Sequence, residues 1–170
     1  MFSRERLIAE MWGLSDVPGP IIEVVQFRQE EFESTCSEES ILAFFATKRD
    51  CLDPLLFWIK ALEHTWGERI IPQRPARAKK RAAEIKNESD SADKDYYRLM
   101  TAALFEPLNK EDFVRLVQEY SRGLQKPLPY FLRDFSGYQS GLRMYADWDD
   151  VAVVAEFSES YKAFFWQTTA

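Results

Sequence analysis

From Leu142 to Trp166 apolar residues recur at nearly every second position, and this period of two restricts the fold more than any other feature of the chain. Leu142, Met144, Ala146 and Trp148 fall on one face, followed by Val151, Val153, Ala155 and Phe157. Tyr161, Ala163 and Phe165 come next, with Phe164 and Trp166 on the opposite face. Successive side chains of a strand point to opposite faces, so alternation of this kind marks half-buried strands. Asp149-Asp150 and Ser158-Glu159-Ser160 supply connections of hairpin length. The pattern predicts a three-stranded antiparallel meander over residues 142–169.

Upstream the spacing is mostly helical. Ser3 is a candidate N-cap for a helix ending at Gly13, with Leu7, Ile8, Met11 and Trp12 as its apolar stripe. Ile21 to Phe27 is rich in β-branched residues and reads as a strand, although a helix starting at Pro20 competes with it. Ser37, followed by Glu38 and Glu39, and closed by Lys48 and Arg49, has the charges that complement a helix dipole, so this segment is expected to be a helix around Ile41, Leu42, Phe44 and Phe45. Asp53 and Pro54 open a further helix that Gly67 would close, apolar on several faces and therefore central. A helix over 94–105 is expected to stop at Pro107, and Asn109 caps the most regular one, with Phe113, Leu116, Val117 and Tyr120 on one stripe and Gly123 past its end. Lys126 to Tyr138 shows no period and reads as a packed irregular segment.

Together these elements predict an α+β fold, a helical N-terminal two-thirds (1–123) packed on the C-terminal meander, with helices covering one face of the sheet. At 170 residues the chain has the size of one domain, and 1–170 is read as a single unit. Its aromatic content of 15% argues for a real core and against global disorder.

The net charge of −6 hides two unlike regions. Between Arg69 and Lys86 seven basic residues face one acid, Glu84, a local charge of +6 that leaves −12 for the rest. Only Ile85 among residues 74–86 is large and apolar, so 69–86 is expected to be an exposed basic helix or linker. Its Arg74, Arg77, Lys79, Lys80 and Arg81 could neutralise nucleic-acid phosphates, but no aromatic is interleaved to stack bases. The acidic remainder would be steered toward basic partners.

Chemical motifs are scarce. His64 is the only histidine, which removes sites built on two imidazoles, and its place in the last turn of a helix is explained by the dipole. Gly137-Tyr138-Gln139-Ser140-Gly141 resembles a nucleophile elbow only superficially, because the serine is one position late and a strand follows. It reads as a flexible entry to the meander. No phosphate-binding glycine loop and no CxxC pair occurs. Cys36 and Cys51 are too few for a disulfide framework and read as reduced thiols. The first residues lack the apolar core of a signal peptide, and no run approaches the roughly 20 apolar residues of a spanning helix, so a cytoplasmic protein is expected.

No catalytic residue, metal ligand set or cofactor is assigned. The acids Asp147, Asp149, Asp150, Glu156 and Glu159, with Lys162 close by, could in principle hold a divalent cation, yet the Glu-x-Lys spacing of nucleases is absent. They suit an electrostatic face better, with Tyr145, Trp148 and Tyr161 as aromatic anchors. The expectation is a non-catalytic protein that recognises a basic protein partner without a membrane. Toxin-neutralising immunity proteins are small acidic chains of this type, although no motif ties the sequence to them. The alternatives are a nucleic-acid adaptor using residues 74–86 and an enzyme with an unmarked carboxylate metal site. The oligomeric state is left open.

Overall fold

The computed structural model describes residues 1–33, 38–70 and 102–169. A six-stranded antiparallel sheet dominates it, with strands β1 (Glu23–Phe27), β2 (Glu38–Thr47), β3 (Glu106–Leu108), β4 (Tyr138–Ala146), β5 (Asp150–Phe157) and β6 (Ser160–Thr169) in the order β1-β2-β6-β5-β4-β3. Three helices accompany it among the described residues, α1 (Arg4–Asp16), α2 (Pro54–Ile70) and α3 (Lys110–Tyr120). The expected fold, a helical two-thirds resting on a three-stranded meander, is therefore overturned. The sheet has twice the strands of the expected meander, and its first strand falls within Ile21 to Phe27, the segment that reads as a strand in the sequence.

The main correction is β2. The segment expected to be a helix from Ser37 to Arg49 is a strand that pairs with β1 on one side and along ten positions with β6 on the other. Its physical signature is the unbroken apolar run Ile41 to Ala46. A strand covered on both faces loses its alternation and reads as continuous hydrophobicity, which cannot be told from a buried helix by period. Ile41 and Ala43 face one core while Phe44 and Ala46 face the other. The charges at its ends imitate helix caps but sit at strand termini.

Both faces of the sheet are covered, rather than the one expected. α1 and α2 pack on the first, where Leu7, Met11, Leu55, Trp58 and Ile59 meet Phe44, Ala163 and Phe165. Trp58 stacks on Phe165 with ring centroids 5.3 Å apart and planes 7° from parallel. On the second face Phe113 and Val117 of α3, with Phe131 and Leu132 from the 3-10 turn Tyr130–Leu132, cover Val153, Ala155, Phe157 and Phe164. Each fully buried side chain of this size contributes about 1.5–3 kcal/mol, so both layers matter to stability.

Local signals held at several ends. The Ser3 hydroxyl accepts from the Arg6 amide at 3.3 Å, the Asp53 carboxylate accepts from the Leu55 amide at 2.9 Å, and the Asn109 side chain accepts from the Asp112 amide at 2.8 Å. Ile21 to Phe27 contributes strand β1, not a helix from Pro20. The glycine stops did not hold: α1 runs through Gly13 and α2 through Gly67, because glycine also adopts helical dihedrals, at a cost of about 1 kcal/mol relative to alanine. Pro107 lies in the edge strand β3, where a missing N–H is tolerated.

The supposed flexible entry to the meander is ordered. Gly137 has φ +69°, a left-handed conformation, and a Cβ there would lie 2.8 Å from the Ser158 hydroxyl. At Gly141 a Cβ would meet the Tyr138 hydroxyl at 2.5 Å, and that hydroxyl donates to the Leu108 carbonyl. The two glycines let the loop and the Tyr138 ring lie close to the backbone of β3 to β5. A bulge between Arg143 and Tyr145 then breaks the alternation, so Met144 and Tyr145 are both buried while Ala146 is exposed.

Candidate functional site

The eight residues singled out as a partner surface do not form one patch. β5 separates them: Asp147, Trp148, Asp149 and Asp150 lie at its start and Glu156 and Glu159 at its far end. Six residues of extended chain span about 20 Å. Tyr145 and Tyr161 are buried, Tyr145 with its ring 6.2 Å from Trp58 and Tyr161 with its ring 5.7 Å from Phe57. Burial, with the charge of Glu156 close by, pushes the Tyr161 hydroxyl up to about 12. These two rings hold the first core together.

At the β4–β5 tip the backbone is tied down by hydrogen bonds from the Asp147 amide to the Asp150 carbonyl at 2.8 Å and from the Thr168 amide to the Asp149 carbonyl at 3.0 Å. Trp148, 73% exposed, projects from this turn. Asp150 is the unusual member. Burial, reinforced by Asp149 and Asp147, pushes its carboxyl up to about 7, and its Oδ1 has no hydrogen-bond partner among the described residues. Ionising it means placing a third negative charge in a partly desolvated site.

Glu156 behaves in the opposite way. Its carboxylate meets the Lys48 ammonium at 2.7 Å and the N-terminal ammonium of Met1 at 3.2 Å. Burial pulls its carboxyl up, and the hydrogen bonds from Lys48 and the N-terminus more than reverse this, leaving it below the ordinary value. Its charge is spent on joining the N-terminus to the sheet. Glu159 is exposed on the β5–β6 turn.

Beside that turn is a cleft of about 450 Å³ that the sequence reading did not find. Phe45, Tyr130, Phe131, Asp134 and Glu159 line it, and Lys162 is buried at its wall. The Lys162 ammonium donates to the Asp134 carbonyl and lies 3.8 Å from the centroid of the Phe157 ring. Burial holds its amine below the ordinary value, against the opposing charge of Asp134. A signal for it existed: Lys162 is two residues from Phe164 and must share that inward face.

The other residues considered carry less. His64 is exposed on α2, with its ring edge-on to Phe44 at 5.6 Å. The Cys51 thiol is buried, unbridged and donates to the Asp53 carbonyl, and burial pushes it up. Cys36 and the basic residues Arg74, Arg77, Lys79, Lys80 and Arg81 lie outside the described residues. Among the described residues no three His, Cys, Asp or Glu side chains converge to hold a metal ion, and no helix is long and apolar enough to cross a membrane. No protein-family model, curated protein or solved structure matches the chain.

Proposed function

We propose that this chain is a non-catalytic binding protein that engages a basic protein partner through the β4–β5 tip. The observation that carries this reading is Trp148, 73% exposed and flanked by Asp147, Asp149 and Asp150. Tryptophan is enriched among residues that dominate interface energies, because it buries a large rigid surface at small entropic cost. Carboxylates around such an anchor steer a cationic surface to it and raise the association rate more than the final affinity. Blocking a partner's active surface in this manner is how an inhibitor of the immunity type would act. A cytoplasmic location belongs to the same reading and draws on the unbridged Cys51 thiol.

The test is co-purification of the full chain from its native extract, followed by binding measurements with the protein recovered. A stoichiometric basic partner is expected, with Trp148→Ala weakening it by about 2 kcal/mol, roughly 30-fold. A partner indifferent to that substitution, or none, overturns the proposal.

The +6 stretch over 69–86 supports a second reading, nucleic-acid association. It predicts binding to generic duplex that weakens steeply with salt and disappears when Arg77, Lys79, Lys80 and Arg81 are replaced by Ala. The carboxylate-enzyme alternative gains no support from acids divided between the two ends of β5.

A further inference from the structure

The cleft at the β5–β6 end contains a buried ammonium that makes no ion pair among the described residues. Lys162 is 4% exposed, yet among the described residues only one of its three N–H groups has an acceptor, the Asp134 carbonyl, and the ring of Phe157 lies beneath it. Among the described residues no carboxylate lies within ion-pair distance of its Nζ, and the Asp134 carboxylate acts on it only at longer range. Buried charges are normally paired, because desolvation costs several kcal/mol per ion. Lys162 lines the cleft, whose volume of about 450 Å³ falls within the range of small-molecule sites.

We propose that this cleft binds a small zwitterion of the α-amino acid class with an aromatic or large apolar side chain. Its carboxylate would meet Lys162, its ammonium would face Asp134 and Glu159, and its side chain would lie against Phe45 and Tyr130. Each part of the ligand follows from the lining. A carboxylate completes the coordination of the Lys162 ammonium, and Ser160 lines the same cleft. The exposed carboxylates of Asp134 and Glu159 repel a ligand with excess negative charge, such as a phosphate dianion, while Lys162 repels a simple cation. Only a ligand carrying both signs satisfies both walls. The apolar wall is already assembled: Phe45 stacks on Phe131 at 5.3 Å between centroids, and Tyr130, 60% exposed, stands 6.2 Å from Phe45. The turn beneath is fixed by the Ser158 amide donating to the Gly137 carbonyl at 2.8 Å. Lying at the far end of β5 from Trp148, the cleft is independent of the proposed docking tip.

The experiment is an NMR and calorimetric titration of the full chain with L-phenylalanine, L-tyrosine and L-leucine, against 3-phenylpropionate, which lacks the ammonium, and phenethylamine, which lacks the carboxylate. At least one amino acid should saturate below about 10 mM, with shifts confined to the cleft. Both analogues should bind it about tenfold more weakly, because each leaves one wall unpaired. Lys162→Met should abolish binding. Since that variant also alters the core, Glu159→Gln, on the exposed turn, gives the second readout: amino-acid affinity falls while that of 3-phenylpropionate holds or rises. Absence of saturable shifts with all five ligands overturns the proposal. So does equal binding of phenethylamine, or a Glu159→Gln variant that leaves the discrimination unchanged.

Discussion

Asp150 and Glu156 stand on the same strand, six residues apart, and are driven in opposite directions. Asp150 begins β5 beside two other aspartates and is pushed up to about 7, whereas Glu156 near its end meets two ammonium groups and is held below its ordinary value. Both are partly buried, so desolvation alone does not separate them. The difference is the partner: among the described residues none of the right sign at the tip and two at the other end. One strand therefore carries a site where charge is costly and another where charge holds the fold together.

The contrast makes opposite predictions for stability against pH. Between 3.8, its ordinary value, and about 7, Asp150 binds its proton more tightly folded than unfolded. Its contribution is fully present below about pH 4 and is lost as pH rises through about 7, by up to roughly 4 kcal/mol. Asp150→Asn should remove this loss, so denaturant midpoints measured from pH 4 to 8 should be flatter than those of the parent and higher at pH 8. An unchanged slope would show that the tip admits enough water to solvate the carboxylate.

The effect at Glu156 should be smaller and of the other sign. A carboxyl held below its ordinary value adds stability that is present at neutral pH and is lost as the solution is acidified through its folded value. Glu156→Gln should cost on the order of 1–3 kcal/mol at pH 7 and progressively less toward acid, read from the same denaturant series. Equal destabilisation across the whole range would assign the loss to packing. The smallest effect belongs to Asp149→Asn. Burial is the leading cause of the Asp150 shift and Asp149 the second, so its removal should lower the Asp150 midpoint in an NMR titration without restoring it to 3.8. Full restoration would mean that charge, and not burial, governs the tip. At the same tip Asp147→Asn with Asp149→Asn should slow association with a basic partner more than it changes the dissociation rate, and raised salt should erase the difference.

The elements legible in the sequence are those with local causes. Asn109 and the spacing of Phe113, Leu116, Val117 and Tyr120 define α3 within eleven residues, and the caps at Ser3 and Asp53 act over one turn. β2 was not legible, because Ile41 to Ala46 is apolar on both faces and Glu38, Glu39, Lys48 and Arg49 imitate dipole-matched helix ends. Its strand character comes from pairing with β6, more than a hundred residues away. Trp148 reads from the sequence as an aromatic anchor beside the acids, in phase with Leu142, Met144 and Ala146. The bulge between Arg143 and Tyr145 changes the alternation, and the residue emerges on the turn beyond β4. Lys162 was noted only as a neighbour of acids, although its phase with Phe164 placed it inside.

By itself the sequence determined the starts of α1, α2 and α3, the alternation that ends the chain and the division of charge between 69–86 and the remainder, all properties of adjacent residues. Only the tertiary structure decided that β6 lies between β2 and β5, that both sheet faces are covered, and that the acids of the C-terminal strands are parted. Whether a carboxylate repels its neighbours or holds a cation, and whether a lysine lies inside without its counter-charge, depends on groups that the chain brings together only when it folds.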